Sequence, residues 1–264
     1  MIKVPQVLTI AGIDSSGGAG ANADIKTFHN QCVYAATIIT GLTAQNTYGV
    51  QSIDPVAPKF ILDQFDSVFN DLEISATKTG ALFGKEQVDA VVQGIKKYQI
   101  KNLVVDPVMV AKGGAKLLSD EAVYSVKTQL FPMAQLITPN LEEAEVLVGY
   151  AIDSEINLIN ALHDLQSLGA KNVLIKGEHS SGDRVNDVLL TSTGEVITYR
   201  GTRINTNHTH GTGDTLSSYI VAHLAQGEEF TYIMPKAKEF INRAIGETID
   251  IGHGHGPLNH WVKS

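Results

Sequence analysis

The stretch HTHGTGDTLSS, from His208 to Ser218, sets Gly211, Thr212, Gly213 and Asp214 directly before a segment whose apolar residues Leu216, Ile220 and Leu224 fall on one helical face. The first N–H groups of such a helix have no acceptor within it, and with the helix dipole they attract an anion. Glycines at this point leave room for a phosphate that a Cβ would obstruct. Asp214 has two readings here: a cap that accepts a backbone N–H, or a general base beside the anion site.

Further segments carry polar residues directly after apolar runs. VVDPVMVAKGG puts Asp106 before Pro107, as a turn-forming aspartate or as a carboxylate that holds a magnesium-bound water. Lys112 in the same segment reads as a solvated lysine or as a phosphate contact from a loop. In ITPNLEEAEVL, Glu143 follows Asn140 by three residues, which is the spacing of a helix-capping arrangement and also offers hard oxygen ligands for hydrated Mg2+. Lys176 in IKGEHS reads as a snorkelling surface lysine or as a ligand. AGIDSSGGAGANADIKT has Gly18, Gly20 and Ala23 in G-x-G-x-x-A spacing, but TGLTAQNT lacks the acid that would take a dinucleotide ribose. Asp24, by itself, reads as an exposed acid in the first turns of a helix. The pairs His208/His210 and His253/His255 lie in loops with no carboxylate or cysteine close in sequence, which argues against structural zinc.

The hydropathy pattern predicts the scaffold that positions these residues. QVLTIAG, AATIITGLTAQ, ISATKTG, NLVVDPV, QLITP and NVLIKG read as strands separated by amphipathic helices, one of which repeats Ile61, Phe65 and Phe69 at four-residue spacing. At least five strand-helix alternations predict an α/β fold, a central mostly parallel sheet flanked by helices on both faces. RVNDVLLTSTGEVITYRG, with Thr193 and Gly194 between two apolar runs, predicts an antiparallel hairpin in the C-terminal half, and two helices then close the chain. No Pro, Gly or Ser linker divides residues 1–264, which read as one domain. In such sheets ligands bind beyond the C-terminal strand ends, where the polar residues above fall.

The composition narrows the partners. With 43% hydrophobic and 18% charged residues and a net charge of -8, the chain reads as an ordinary globular protein without a basic stripe for nucleic-acid phosphates. Cys32 is the only cysteine, so no intramolecular disulfide forms and a reducing cytoplasm fits best. The apolar run in MIKVPQVLTIAG is too short to span a membrane. The expectation is a cytoplasmic protein that binds small molecules, not nucleic acid or membrane.

Taken in order, TIAGIDSSGGAGANADIKTF, TAQNTYGV, VVDPVMVAKGG, ITPNLEEAEVL, IKGEHS, HTHGTGDTLSS and GHGPLNH resemble the hydroxymethylpyrimidine and phosphomethylpyrimidine kinases of the ribokinase-like superfamily, close to the pyridoxal kinases. The resemblance covers essentially the whole chain. It implies a ribokinase-like fold and a kinase that uses ATP and Mg2+ to phosphorylate a hydroxymethyl group on a heteroaromatic vitamin precursor. The pyrimidine of thiamine biosynthesis and its monophosphate are the first expectation. Pyridoxal, pyridoxine or pyridoxamine is the alternative, and a non-catalytic nucleotide or vitamin sensor is the third.

The resemblance also implies roles. Gly12, Asp24 and Gln45 would hold the ring, with Val108 packing nearby, and Asp106, Asn140 and Glu143 would form the magnesium and phosphate neighbourhood. Lys176 and Thr212 would contact ATP, and Ala237 and Lys238 would wall the adenine pocket. Gly211 and Gly213 would form the anion hole, with Asp214 as catalytic base. Three residues depart from the family pattern: Asp214 stands where pyrimidine kinases usually carry Cys, Ala81 where Met is common, and Asn22 where Gln is common. Short-lidded relatives often dimerise, so a homodimer is one expected assembly.

Overall fold

The computed structural model describes residues 3–111, 113–177 and 185–263; Lys112 and residues 178–184, with the end of the IKGEHS motif, lie outside the described residues. Among the described residues the strands are β1 (Gln6–Asp14), β2 (Tyr34–Asn46), β3 (Gly49–Pro55), β4 (Ile74–Thr79), β5 (Leu103–Val105), β6 (Leu136–Ile137), β7 (Val173–Ile175), β8 (Asp187–Leu190) and β9 (Val196–Tyr199). They make one sheet in the order β3-β2-β1-β4-β5-β6-β7-β8-β9. Neighbours from β2 through β1 and β4 to β7 are parallel, and β3, β8 and β9 join antiparallel.

The expected hairpin is β8 with β9, closed by a turn in which Gly194 takes φ +84 and Thr191 N donates to Glu195 O at 2.9 Å. The sequence pattern did not disclose β3. Its residues GVQSIDP are exposed or half-buried, so pairing to β2 rather than an apolar repeat makes this edge a strand.

Helices cover both faces, as the alternation requires. Helices α2 (Pro58–Phe69), α3 (Lys85–Lys97), α4 (Asp120–Ser125), α5 (Leu141–Val148) and α6 (Glu155–Ser167) pack one core layer with Leu8, Ile10 and Val105 of the sheet. Helices α1 (Gly20–Asn30), α7 (Thr212–Ala225) and α8 (Phe230–Gly246) pack the other with Val7, Ala76 and Val104. Because strand side chains alternate, consecutive residues such as Val7 and Leu8 serve opposite layers, which explains the continuous apolar runs. The chain leaves β1 for β2 on one side and returns to β4 on the other. The crevice opened at that reversal lies at the C-terminal ends of β1 and β4.

One close approach fixes how α2 meets α3. Ile61 and Phe65 of α2 are fully buried, and Phe69 stacks on Tyr98 with ring centroids 4.7 Å apart. Gly94 of α3 leaves space for the Phe65 ring, which a Cβ at that position would approach to 2.5 Å. Gly94→Ala gains about 1 kcal/mol in helix propensity but overpacks a site that costs about 1–3 kcal/mol to relieve. The variant is expected to unfold at lower urea concentration than the parent; a higher midpoint would show that the two helices separate freely.

Candidate active site

At the end of β1, Asp14 organises the glycine-rich loop that precedes α1. Its carboxylate accepts hydrogen bonds from Ser16 N and Oγ at 2.8 and 2.7 Å, from Gly18 N at 3.0 Å and from Ala19 N at 2.9 Å. His210 Nε2 donates to the same carboxylate at 2.8 Å and stands 3.2 Å from the Gln45 amide. Burial pushes the Asp14 carboxyl up, but the hydrogen bonds from His210 and Ser16 outweigh it and hold its pKa at about 2. The loop glycines therefore wrap an internal carboxylate, and His210 has a carboxylate partner that its sequence neighbourhood did not reveal.

The next strand ends bring opposite charges together. Asp106 follows β5, and Lys176 follows β7 at 5% exposure; Lys176 Nζ donates to Asp106 Oδ1 at 3.0 Å. The surface reading of Lys176 is thus replaced by a buried ion pair. After β6, Asn140 and Glu143 form the capping box of α5: Glu143 N donates to Asn140 Oδ1 and Asn140 N to Glu143 Oε2, both at 2.8 Å.

Opposite them, α7 begins one turn earlier than a capping Asp214 would require. Gly211 is the N-terminal cap residue at φ +85, where a Cβ would also strike Gly18 O. The first helical bond of the turn runs from Thr215 N to Gly211 O at 2.9 Å, so the N–H groups of Gly213 and Asp214 precede it and have no acceptor in the helix. A Cβ on Gly213 would sit 3.1 Å from Lys176 Nζ and 3.4 Å from Asp106 Oδ2. Asp214, the third residue of the helix, keeps 14% of its side chain exposed.

Gly12, Gln45, Val108, Asp106, Asn140 and Glu143 border a single cavity of about 510 Å³. Lys176, Gly211, Thr212, Gly213 and Asp214 border it too, with Ala81 in the wall. Its lining combines Gln45 and Phe83 with Lys176 and the N-terminus of α7, the last two a set suited to an anion.

A family model described as phosphomethylpyrimidine kinase matches residues 14–259. A hydroxymethylpyrimidine/phosphomethylpyrimidine kinase of Haemophilus influenzae is 46% identical over 267 residues, covering 100% of this chain and 99% of that protein. This chain belongs to the phosphomethylpyrimidine kinase family. Among solved structures, an ADP complex of Bacillus subtilis pyridoxal kinase is similar at TM-score 0.89 and 35% identity, over 98% of both chains. A phosphomethylpyrimidine kinase of Clostridium difficile is similar at TM-score 0.81 and 39% identity, over 92% of this chain and 100% of that one. The sheet has the ribokinase-like arrangement that the resemblance implied.

Two of the expected site residues stand apart from the lining of this cavity. Asp24 is fully buried, and it accepts hydrogen bonds from Thr9 Oγ1 at 2.6 Å, Lys78 Nζ at 2.6 Å and Ser218 Oγ at 2.7 Å. Packing of α1 against α7 carries it beneath the cavity. Lys238 does not border the cavity either; its Nζ donates to Asp187 Oδ2 at 2.6 Å and Val185 O at 2.9 Å, and Ala237 is fully buried in the α8 layer. Lys238 borders a second hollow between β9 and α8 instead.

Lys78, which no sequence motif singled out, lies buried against Asp214. It is 0% exposed, contacts Asp24, and lies 3.6 Å from Asp214 Oδ1. Burial works against its ammonium, but Asp24, Asp214 and Asp106 together raise its pKa above the usual lysine value. Burial in turn raises the Asp24 carboxyl, against the pull of Lys78. The available signal was a lysine between two threonines in TKT, at the end of a strand that must be buried on both faces.

The Asp14 carboxylate gives a pH-dependent prediction. Its pKa is lower folded, about 2, than the ordinary 3.8, so its stabilisation is present above pH 4 and is lost as pH falls through 2. Asp14→Asn is expected to lose about 2 kcal/mol at pH 7. In urea unfolding the gap between variant and parent should close between pH 4 and pH 2; a gap independent of pH would show that the carboxylate charge is not what holds the loop.

Proposed function

We propose that residues 1–264 form one kinase domain that uses ATP and Mg2+ to phosphorylate the hydroxymethyl group of 4-amino-5-hydroxymethyl-2-methylpyrimidine and then its monophosphate. The reading is carried by one observation: Asp214, the open N-terminus of α7 and Gln45 face the same cavity. The family membership and the relatives named for these substrates support it.

The heteroaromatic ring lies beside Gly12, Gln45 and Val108, with its hydroxymethyl oxygen directed to Asp214. Asp214 takes the hydroxyl proton as that oxygen bonds to the γ-phosphorus of ATP, and the bond to the β,γ-bridging oxygen breaks to release ADP. The N–H groups of Gly213 and Asp214, with Lys176, face the charge on the transferring group.

The residues expected near Mg2+ fit a hydrated ion rather than a closed cage. Asp106 already pairs with Lys176, and Asn140 and Glu143 cap α5, yet each carboxylate retains lone pairs at the cavity wall for metal-bound water. Bound there, Mg2+ would neutralise charge on the triphosphate.

A pyridoxal-type substrate is the second reading, favoured by Ala81 in the cavity wall, a smaller side chain than the Met that the family resemblance would place there. Measuring kcat/KM for hydroxymethylpyrimidine and pyridoxal on one preparation distinguishes them. The pyrimidine reading expects a preference for the former and a second phosphorylation of its monophosphate; a preference for pyridoxal with a single transfer would replace it. Asp214→Asn is expected to retain ATP binding and the fold while kcat drops about 10²- to 10⁴-fold. Undiminished turnover would remove Asp214 from the role of base.

A further inference from the structure

The proposed reaction uses Asp214 but leaves its closest cationic neighbour without a role. Lys78 Nζ donates to Asp24 Oδ1 at 2.6 Å, and it lies 3.6 Å from Asp214 Oδ1 and 3.4 Å from the Asp214 carbonyl oxygen. Three elements hold this ammonium: β4 carries it, α1 supplies Asp24, and α7 supplies Asp214. Thr9 and Ser218 hydroxyls fix the Asp24 carboxylate from β1 and α7, so the counter-ion cannot swing away.

A buried ammonium needs a counter-charge, and Asp24 alone provides one. The approach to Asp214 is therefore additional. It also differs in kind, because Asp24 is 0% exposed whereas Asp214 opens into the cavity. An ammonium held below a cavity carboxylate restricts that side chain to rotamers that keep one oxygen down.

We propose that Lys78 is a positioning residue for Asp214, and that Asp24 is the fixed counter-ion that keeps Lys78 in place: the ammonium engages Asp214 Oδ1 from beneath and so orients the carboxylate toward the acceptor hydroxyl. This rests on the reading of Asp214 as base. The charged groups around Asp214 are Lys78 from β4, Asp24 from α1, Asp106 and Lys176 after β5 and β7, and the Asp14–His210 pair and Glu143 across the cavity. Of these, Lys78 makes the direct ion pair, so its removal has the largest effect on how Asp214 is held.

The test separates positioning from simple stability. Lys78→Met alone strands Asp24 without a counter-ion and endangers the fold, so the double variant Asp24→Asn with Lys78→Met is made as well, removing both buried charges together. The folded double variant is expected to keep KM for ATP and for hydroxymethylpyrimidine within about threefold while kcat falls about 10- to 100-fold. Asp24→Asn alone leaves Lys78 in place beside Asp214 and is expected to retain more of kcat than the double variant. A purely structural pair would lower the thermal midpoint but leave kcat unchanged in the folded variants, and that result overturns the proposal. Asp214→Asn is assayed beside them. If it keeps full turnover, the base reading falls and the positioning role with it; if it is inactive while the charge-pair variants match the parent, only the positioning role falls.

Discussion

A charged lysine enclosed by protein is tolerable only where a carboxylate meets it, and Lys78 sits at the junction of three elements under that constraint. Asp24 answers it, and Thr9 and Ser218 spend their hydroxyl hydrogens on the Asp24 oxygens. The result ties β1, β4, α1 and α7 at the point where the sheet reverses direction. The first turn of α7, with its open N–H groups and Asp214, is consequently held over the crevice rather than left to slide along the sheet.

Around that junction the strands change character at their ends. They are apolar where helices cover them, and the residues just beyond, Asp106, Asn140 and Lys176, are polar because they leave the two core layers for the cavity. Several are held by local hydrogen bonds. Asn140 and Glu143 satisfy the N-terminus of α5, and Asp14 satisfies the loop before α1, so these parts of the cavity wall are positioned without a ligand. Such preorganisation suits phosphoryl transfer, in which alignment and charge matter more than covalent participation.

Proteins named for pyrimidine and for pyridoxal substrates share this fold. Under the proposed function the α7 terminus, Lys176 and Asp106 would meet a phosphate, and they would have no reason to differ with the ring being phosphorylated. On that proposal ring discrimination would fall to Gln45, Val108 and Ala81, which reach the cavity from separate strands and loops.

Features set by neighbours along the chain were legible in the amino-acid order. The 3.6- and 2-residue periods gave the helices and the buried strands, Thr193 and Gly194 marked the β8–β9 turn, and the spacing of Asn140 and Glu143 announced the capping box. The glycines at the start of α7 were legible too, and the positive φ of Gly211 is their local reason. Tertiary structure decided the rest: that Asp24 lies under the cavity, that Lys238 turns to Asp187, that β3 pairs at an edge, and that His210 meets Asp14. The Lys78–Asp24 contact joins residues 54 positions apart, and the His210–Asp14 contact joins residues 196 apart. No local period carries information over such separations; packing of α1 and α7 against one face of the sheet does, and it determines which charge each buried carboxylate meets.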